Sequence, residues 1–280
     1  MKVKLNGKEL EGNSFDNTNP AQALEDSQSD GYRPLFMPEV TDLRIDADKN
    51  SELFNWHITP SIRATGETNQ GNKIVVYAHV DNYFSNPNNI RTARKNLVNG
   101  AGRIPQEEFQ KLVDKDELKD DRGNRLVWVI SYEKLRKSSA GIISVDSAMN
   151  HPQTIPFLGG EERARKYLEK HEEVFGPNIG IWHTDDLREE ALGRLLRVGD
   201  DYDGGGLVGN DDLYDVARFF GVRDVSAEGA EEKNPVLVAN TKATPKISAP
   251  RLEDILAFST RFVPEVARRE YEAGLRNLFK

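Results

Sequence analysis

The sequence predicts an α/β protein built on a mainly parallel sheet with flanking helices, an open sheet or a (β/α) barrel, behind a polar N-terminal arm. Three observations lead there. Short runs rich in β-branched residues recur, as in Lys73-Ile74-Val75-Val76-Tyr77-Ala78-His79-Val80 and Arg125-Leu126-Val127-Trp128-Val129-Ile130-Ser131. Segments with helical spacing stand between them, and strands that alternate with helices favour parallel pairing. With 280 residues, 37% hydrophobic and 30% charged, the chain has the balance of a folded protein rather than a disordered one.

Each element has a local reason. Val3 to Leu10 alternates around Asn6-Gly7, a strong hairpin signal. Asn13 to Pro34 is polar and aperiodic and reads as a loop or arm, so residues 1–38 are taken as a hairpin with its arm and 39–280 as the main α/β domain. Ser85-Asn86-Pro87 supplies a cap and a first-turn proline for a helix reaching Leu97 and stopped by Gly100. Pro105 opens a charged helix to about Asp116, Arg125–Ser131 is a buried strand, and Gly141–Val145 is another. Glu161–Glu173 sets Ala164, Tyr167 and Leu168 on one helical face with acids in the first turn. Gly180–His183 and Pro235–Ala239 are further strands, and Pro264–Phe279 is a terminal helix with Val266, Tyr271, Leu275 and Leu278 inward. No repeat of fixed period chooses between open sheet and barrel.

Charge and composition exclude several classes. A formal charge of −8 opposes general nucleic-acid binding, although residues 91–137 hold twelve Lys and Arg against eight acids, while 184–232 hold fourteen acids against five Arg. Zero cysteines rule out disulfides, thiolate metal sites and a cysteine nucleophile, and fit a cytoplasmic protein. No apolar stretch reaches the roughly 20 residues that cross a bilayer, and the start is too polar for an export signal. There is no phosphate-binding glycine loop and no dinucleotide fingerprint.

Two candidate strands close alike, in His79-Val80-Asp81 and in His183-Thr184-Asp185-Asp186. At the carboxyl ends of parallel strands these residues would share the functional edge. His79, Asp81, His183, Asp185 and Asp186 are therefore the candidate ligands of a divalent ion, zinc or manganese, that activates water for hydrolysis, with Asp81 and Asp185 as catalytic carboxylates. His79-Val80-Asp81 resembles the strand-end His-x-Asp of zinc aminopeptidases, over that tripeptide alone. The rival reading is a non-catalytic soluble binding or structural protein, in one version a homo-oligomer, whose histidines bond carbonyls and whose aspartates cap turns.

Two other constellations stand beside these. Asp46, Asp81, Asp146 and Asp185 each close a candidate strand, with Trp56, Tyr83, Trp128, Tyr132 and Trp182 near them, which is the material of a glycosidase site or of an ordinary aromatic core. Asp201 to Asp212 partly resembles an EF-hand loop, with Asp201, Asp203 and Asp212 as calcium ligands. Gly205 stands where an oxygen ligand is usual, and Asp212 where a longer Glu is. A glycine-rich surface turn flanked by solubilising acids explains that segment more cheaply than calcium does.

Overall fold

A computed structural model of the chain describes residues 1–184, 186–199 and 205–225. In chain order the elements are β1 (Lys2–Leu5), β2 (Lys8–Asn17), α1 (Pro20–Ser29), β3 (Arg33–Pro34), α2 (Met37–Asp46), β4 (His57–Glu67), β5 (Lys73–Ala78), α3 (Pro87–Ala93), β6 (Gly102–Ile104) and α4 (Gln106–Val113). Then follow β7 (Val127–Ser131), α5 (Tyr132–Arg136), β8 (Gly141–Ser144), α6 (Val145–Ala148), α7 (Thr154–Leu158), α8 (Glu161–Phe175), β9 (Asn178–Trp182), β10 (Ala191–Gly199), β11 (Gly206–Val208) and β12 (Ala217–Asp224). The expected strand Pro235–Ala239 and helix Pro264–Phe279 lie outside the described residues.

The sheet is not mainly parallel. Twelve strands form one mixed sheet, with the order β1-β2-β12-β4-β10-β11-β9-β8 along its main path. Among the described residues the parallel contacts are the short β9/β11 ladder and a single pairing of Ile58 with Phe219 between β4 and β12. The other ladders are antiparallel, including β4 against both β5 and β10. The physical reason is in the connections. β4 returns into β5 through a tight turn in which Thr68 N–H bonds Asn72 O at 2.9 Å, and two strands joined so closely can only run antiparallel. The helices lie on the sheet without serving as parallel crossovers.

Both faces of the sheet are buried, which is why the strands read as apolar runs. Along β5, Val75 and Tyr77 join one core with α2, α7 and α8, while Ile74, Val76 and Ala78 join a second core with α1, α3 and α4. The Asn6-Gly7 hairpin forms as expected, both residues taking the left-handed backbone (φ 55° and 80°) that a two-residue turn requires. The polar stretch after it is ordered. Asn13–Asn17 continues β2 against β12, burying Phe15, and Asn19 caps α1 by accepting from Ala21 N–H at 3.0 Å. Among the described residues no helix is long and apolar enough to cross a membrane.

Candidate functional site

The most heavily built polar site starts from two strand arginines. Arg63 on β4 and Arg194 on β10 are direct cross-strand partners, an arrangement that repels unless an anion sits between them. Asp186 is that anion. Its Oδ2 accepts from Arg63 Nη1 at 2.9 Å and from Arg194 Nε at 2.8 Å, its Oδ1 accepts from Arg194 Nη2 at 3.2 Å, and the Thr184 hydroxyl donates to it at 2.5 Å. The three charged side chains are 1–3% exposed. Burial pushes the Asp186 carboxyl up, but the hydrogen bonds and charge of Arg194, with the charge of Arg63, outweigh it and hold the group below its ordinary value.

Arg194 continues outward and ties down a loop. Its Nη1 donates to the carbonyls of Asn210 (2.9 Å) and Asp211 (3.2 Å) and to the Asp212 carboxylate (2.5 Å), and its Nη2 donates to Asn99 O. Leu213 N–H bonds Gly100 O at 3.0 Å, and Arg94 donates to Leu213 O at 2.5 Å. Gly100 has φ 80°, and a Cβ there would stand 1.7 Å from Asp212 Oδ1, so only glycine permits this approach. With its backbone fixed, the loop turns Tyr214 (56% exposed), Asp215 and Val216 (52% exposed) outward. Nearby, Asp211 pairs with Arg197 at 3.1 Å, and Arg197 and Arg218 lie over the Trp56 ring at 5.8 and 5.2 Å.

The residues proposed as metal ligands do different work. His79 is buried after β5, with Nε2 donating to Pro156 O at 2.8 Å and Nδ1 accepting from the Ser61 hydroxyl at 3.0 Å. Both ring nitrogens are committed, and burial lowers the imidazole to about 4. His183 is half-buried. Its Nε2 lies 3.3 Å from Ser138 Oγ, its ring is 5.6 Å from that of His151, and burial, with Arg63 and His151, lowers it to about 4. Asp81 is exposed, Asp186 is held by its two arginines, and Asp185 lies outside the described residues. Among the described residues no three His, Asp or Glu converge on a common point.

The other two constellations also disperse. Asp46 ends helix α2 and Asp146 lies in the first turn of α6, so neither closes a strand. Trp128 carries Arg125 over its ring at 4.4 Å, and the nearby Asp116 carboxylate is taken up by that arginine at 2.5 Å. Asp201 and Asp203 lie outside the described residues, and Asp212 is bound to Arg194. The residues that build the observed site, Arg63 and Arg194, went unremarked in the sequence. Their signal is a charge inside an otherwise apolar strand, as in Leu192-Gly193-Arg194-Leu195-Leu196, which demands a buried counter-ion.

No protein-family model matches the chain, and no curated protein does. Among solved structures it is similar to a protein described as "Accommodation of massive sequence variation in Nanoarchaeota by the C-type lectin fold". The two share 54% sequence identity with a TM-score of 0.71, over 79% of this chain and 100% of that one. This relationship overturns the hydrolase reading, both as a zinc or manganese enzyme and as a glycosidase, and agrees with the mixed, mostly antiparallel sheet.

Proposed function

This chain belongs to the C-type lectin fold family, and from that premise we propose that it is a non-catalytic binding protein whose ligand-facing surface is the loop at residues 209–216. One observation carries the reading: Tyr214 and Val216 are exposed on a loop whose backbone is pinned from beneath by the buried Arg194. An aromatic and an aliphatic side chain held out on a rigid base are what a binding surface needs, because little ordering entropy is lost on contact. The Nanoarchaeota protein is described as accommodating massive sequence variation. The arrangement here supports the same capacity, since the exposed side chains can change while the backbone anchors stay. The cysteine-free sequence is consistent with work in the cytoplasm.

The C-type lectin fold is often a calcium-binding one, so the donor set matters. Of the three aspartates expected to hold calcium, Asp212 is the one described, and Arg194 neutralises it; Asp211 is paired with Arg197. These carboxylates do not fit a calcium site without first giving up the buried Arg194 and the partly buried Arg197.

The test is a binding screen of the immobilised full chain against glycan and surface-protein arrays, repeated with Tyr214→Ala combined with Val216→Ser. The variant is expected to lose the captured ligands while melting as the parent does. Ligands retained by the variant would move the site elsewhere, and metal-dependent hydrolytic turnover would overturn the reading.

A further inference from the structure

A cleft of about 360 Å³ opens beside the start of α2 and shares no lining residue with the loop at 209–216. Phe36, Pro38, Val80 and Leu126 give it apolar walls. Glu39 holds the Phe36 backbone by accepting its N–H at 3.0 Å, which anchors the chain at that wall.

Four arginines also line the cleft, and each meets a carboxylate. Arg33 is forked on Glu39 at 2.8 and 2.9 Å, and Arg163 on Asp42 at 2.7 and 3.2 Å. Arg125 bonds Asp116 at 2.5 Å, and Arg122 stands 3.6 Å from Asp120. Asp81 is the carboxylate left over. It lines the cleft, is exposed, and has no hydrogen bond or ion pair among the described residues. Neighbouring His79 cannot neutralise it, because both its ring nitrogens are engaged and it stays uncharged at neutral pH.

We propose that this cleft binds a small organic ammonium with an apolar body, its charge against Asp81 and its body against Phe36. A carboxylate beside an aromatic face is the pairing that recognises alkylammonium groups. The room suits a ligand of that size, since small-molecule sites begin at about 300 Å³. An anion would meet the unpaired Asp81 carboxylate, and a neutral molecule would leave that group without a counter-charge.

Calorimetry on the full chain with phenethylammonium, 2-phenylethanol and phenylacetate tests this, because the three probes share a body and differ in charge. The cation is expected to bind at least about tenfold more tightly than either control. Asp81→Asn should weaken it about tenfold without moving the melting temperature, since the residue is exposed. Phe36→Leu should weaken it about threefold, and Tyr214→Ala should leave it unchanged, which separates this site from the loop surface. Equal binding of the three probes, an Asp81→Asn variant that binds as the parent does, or no binding of the cation at about 10 mM would overturn the proposal.

Discussion

Two buried arginine systems in this molecule solve the same problem differently. Arg63 and Arg194 share the Asp186 carboxylate, and Arg194 then spends its remaining donors on loop carbonyls. Arg44, fully buried at the other end of β10, has no carboxylate in ion-pair reach among the described residues. It donates to Asn55 O (2.6 Å) and Val198 O (3.0 Å), and lies 3.5 Å from the Tyr167 hydroxyl and 3.4 Å from His57 Nδ1. Burial pulls its pKa down, with Tyr167 offsetting part of that. One system is a neutralised ion network that fixes surface loops; the other is a cation held by dipoles that joins α2 to the sheet. Damage to the first should therefore expose unpaired charge, whereas truncating Arg44 removes a charge together with its desolvation cost.

The largest expected effect is Asp186→Asn, which leaves Arg63 and Arg194 facing each other with no anion between them. A loss of about 3–5 kcal/mol in urea unfolding is expected, and one below about 1 kcal/mol would show that the pair finds another counter-charge. Next comes acid. His79 has a folded pKa of about 4 against an ordinary 6.5, so the unfolded chain takes up its proton first. Its contribution is complete above about pH 6.5 and falls away by about 3 kcal/mol as pH drops to 4. Asp186 stays ionised over that window because its pKa is lowered, so the loss belongs to histidine rather than to the ion network. A pH series of unfolding curves should lose part of its slope in this window for His79→Gln, the rest belonging to His57, His151, His171 and His183, which burial lowers too.

Arg44→Met should cost less, about 1–2 kcal/mol, chiefly from the two carbonyls it deserts. If it costs as much as Asp186→Asn, the distinction between the two systems fails. Smallest of all, substitutions at Tyr214, Asp215 and Val216 should stay within about 0.5 kcal/mol, since these side chains point outward from a backbone held by others. A library randomised at these three positions, scored by melting temperature, checks this directly.

Local elements were legible in the sequence, and their partners were not. The apolar runs marked β5, β7 and β9, Pro87 marked the start of α3, and the first-turn acids marked α8. An apolar run reports burial on both faces but carries no sign for strand direction, and the intervening helices suggested crossovers that the chain does not make. β4 escaped notice because His57, Thr59, Ser61, Arg63 and Thr65 alternate as though facing water, yet all are buried. The site shared this blindness. His79 and His183 stand at strand ends as anticipated, but whether an imidazole nitrogen is spent on a carbonyl such as that of Pro156 depends on contacts 77 residues away. Asp186 was noticed as an acid, while the arginines that claim it lie 123 positions before it and 8 after it.

The ladder between β2 and β12 has a consequence for synthesis. Glu11 and Arg223, side by side in it, are 212 positions apart, so β2 has no partner on that edge until nearly the whole described chain has left the ribosome. At about 5–20 residues per second, the amino-terminal hairpin waits roughly 10–40 seconds with an open edge. β3, which also pairs with β12, waits with it. The nascent chain is thus most exposed to self-association just before its final described strand arrives, and chaperone occupancy during translation should be greatest over that interval.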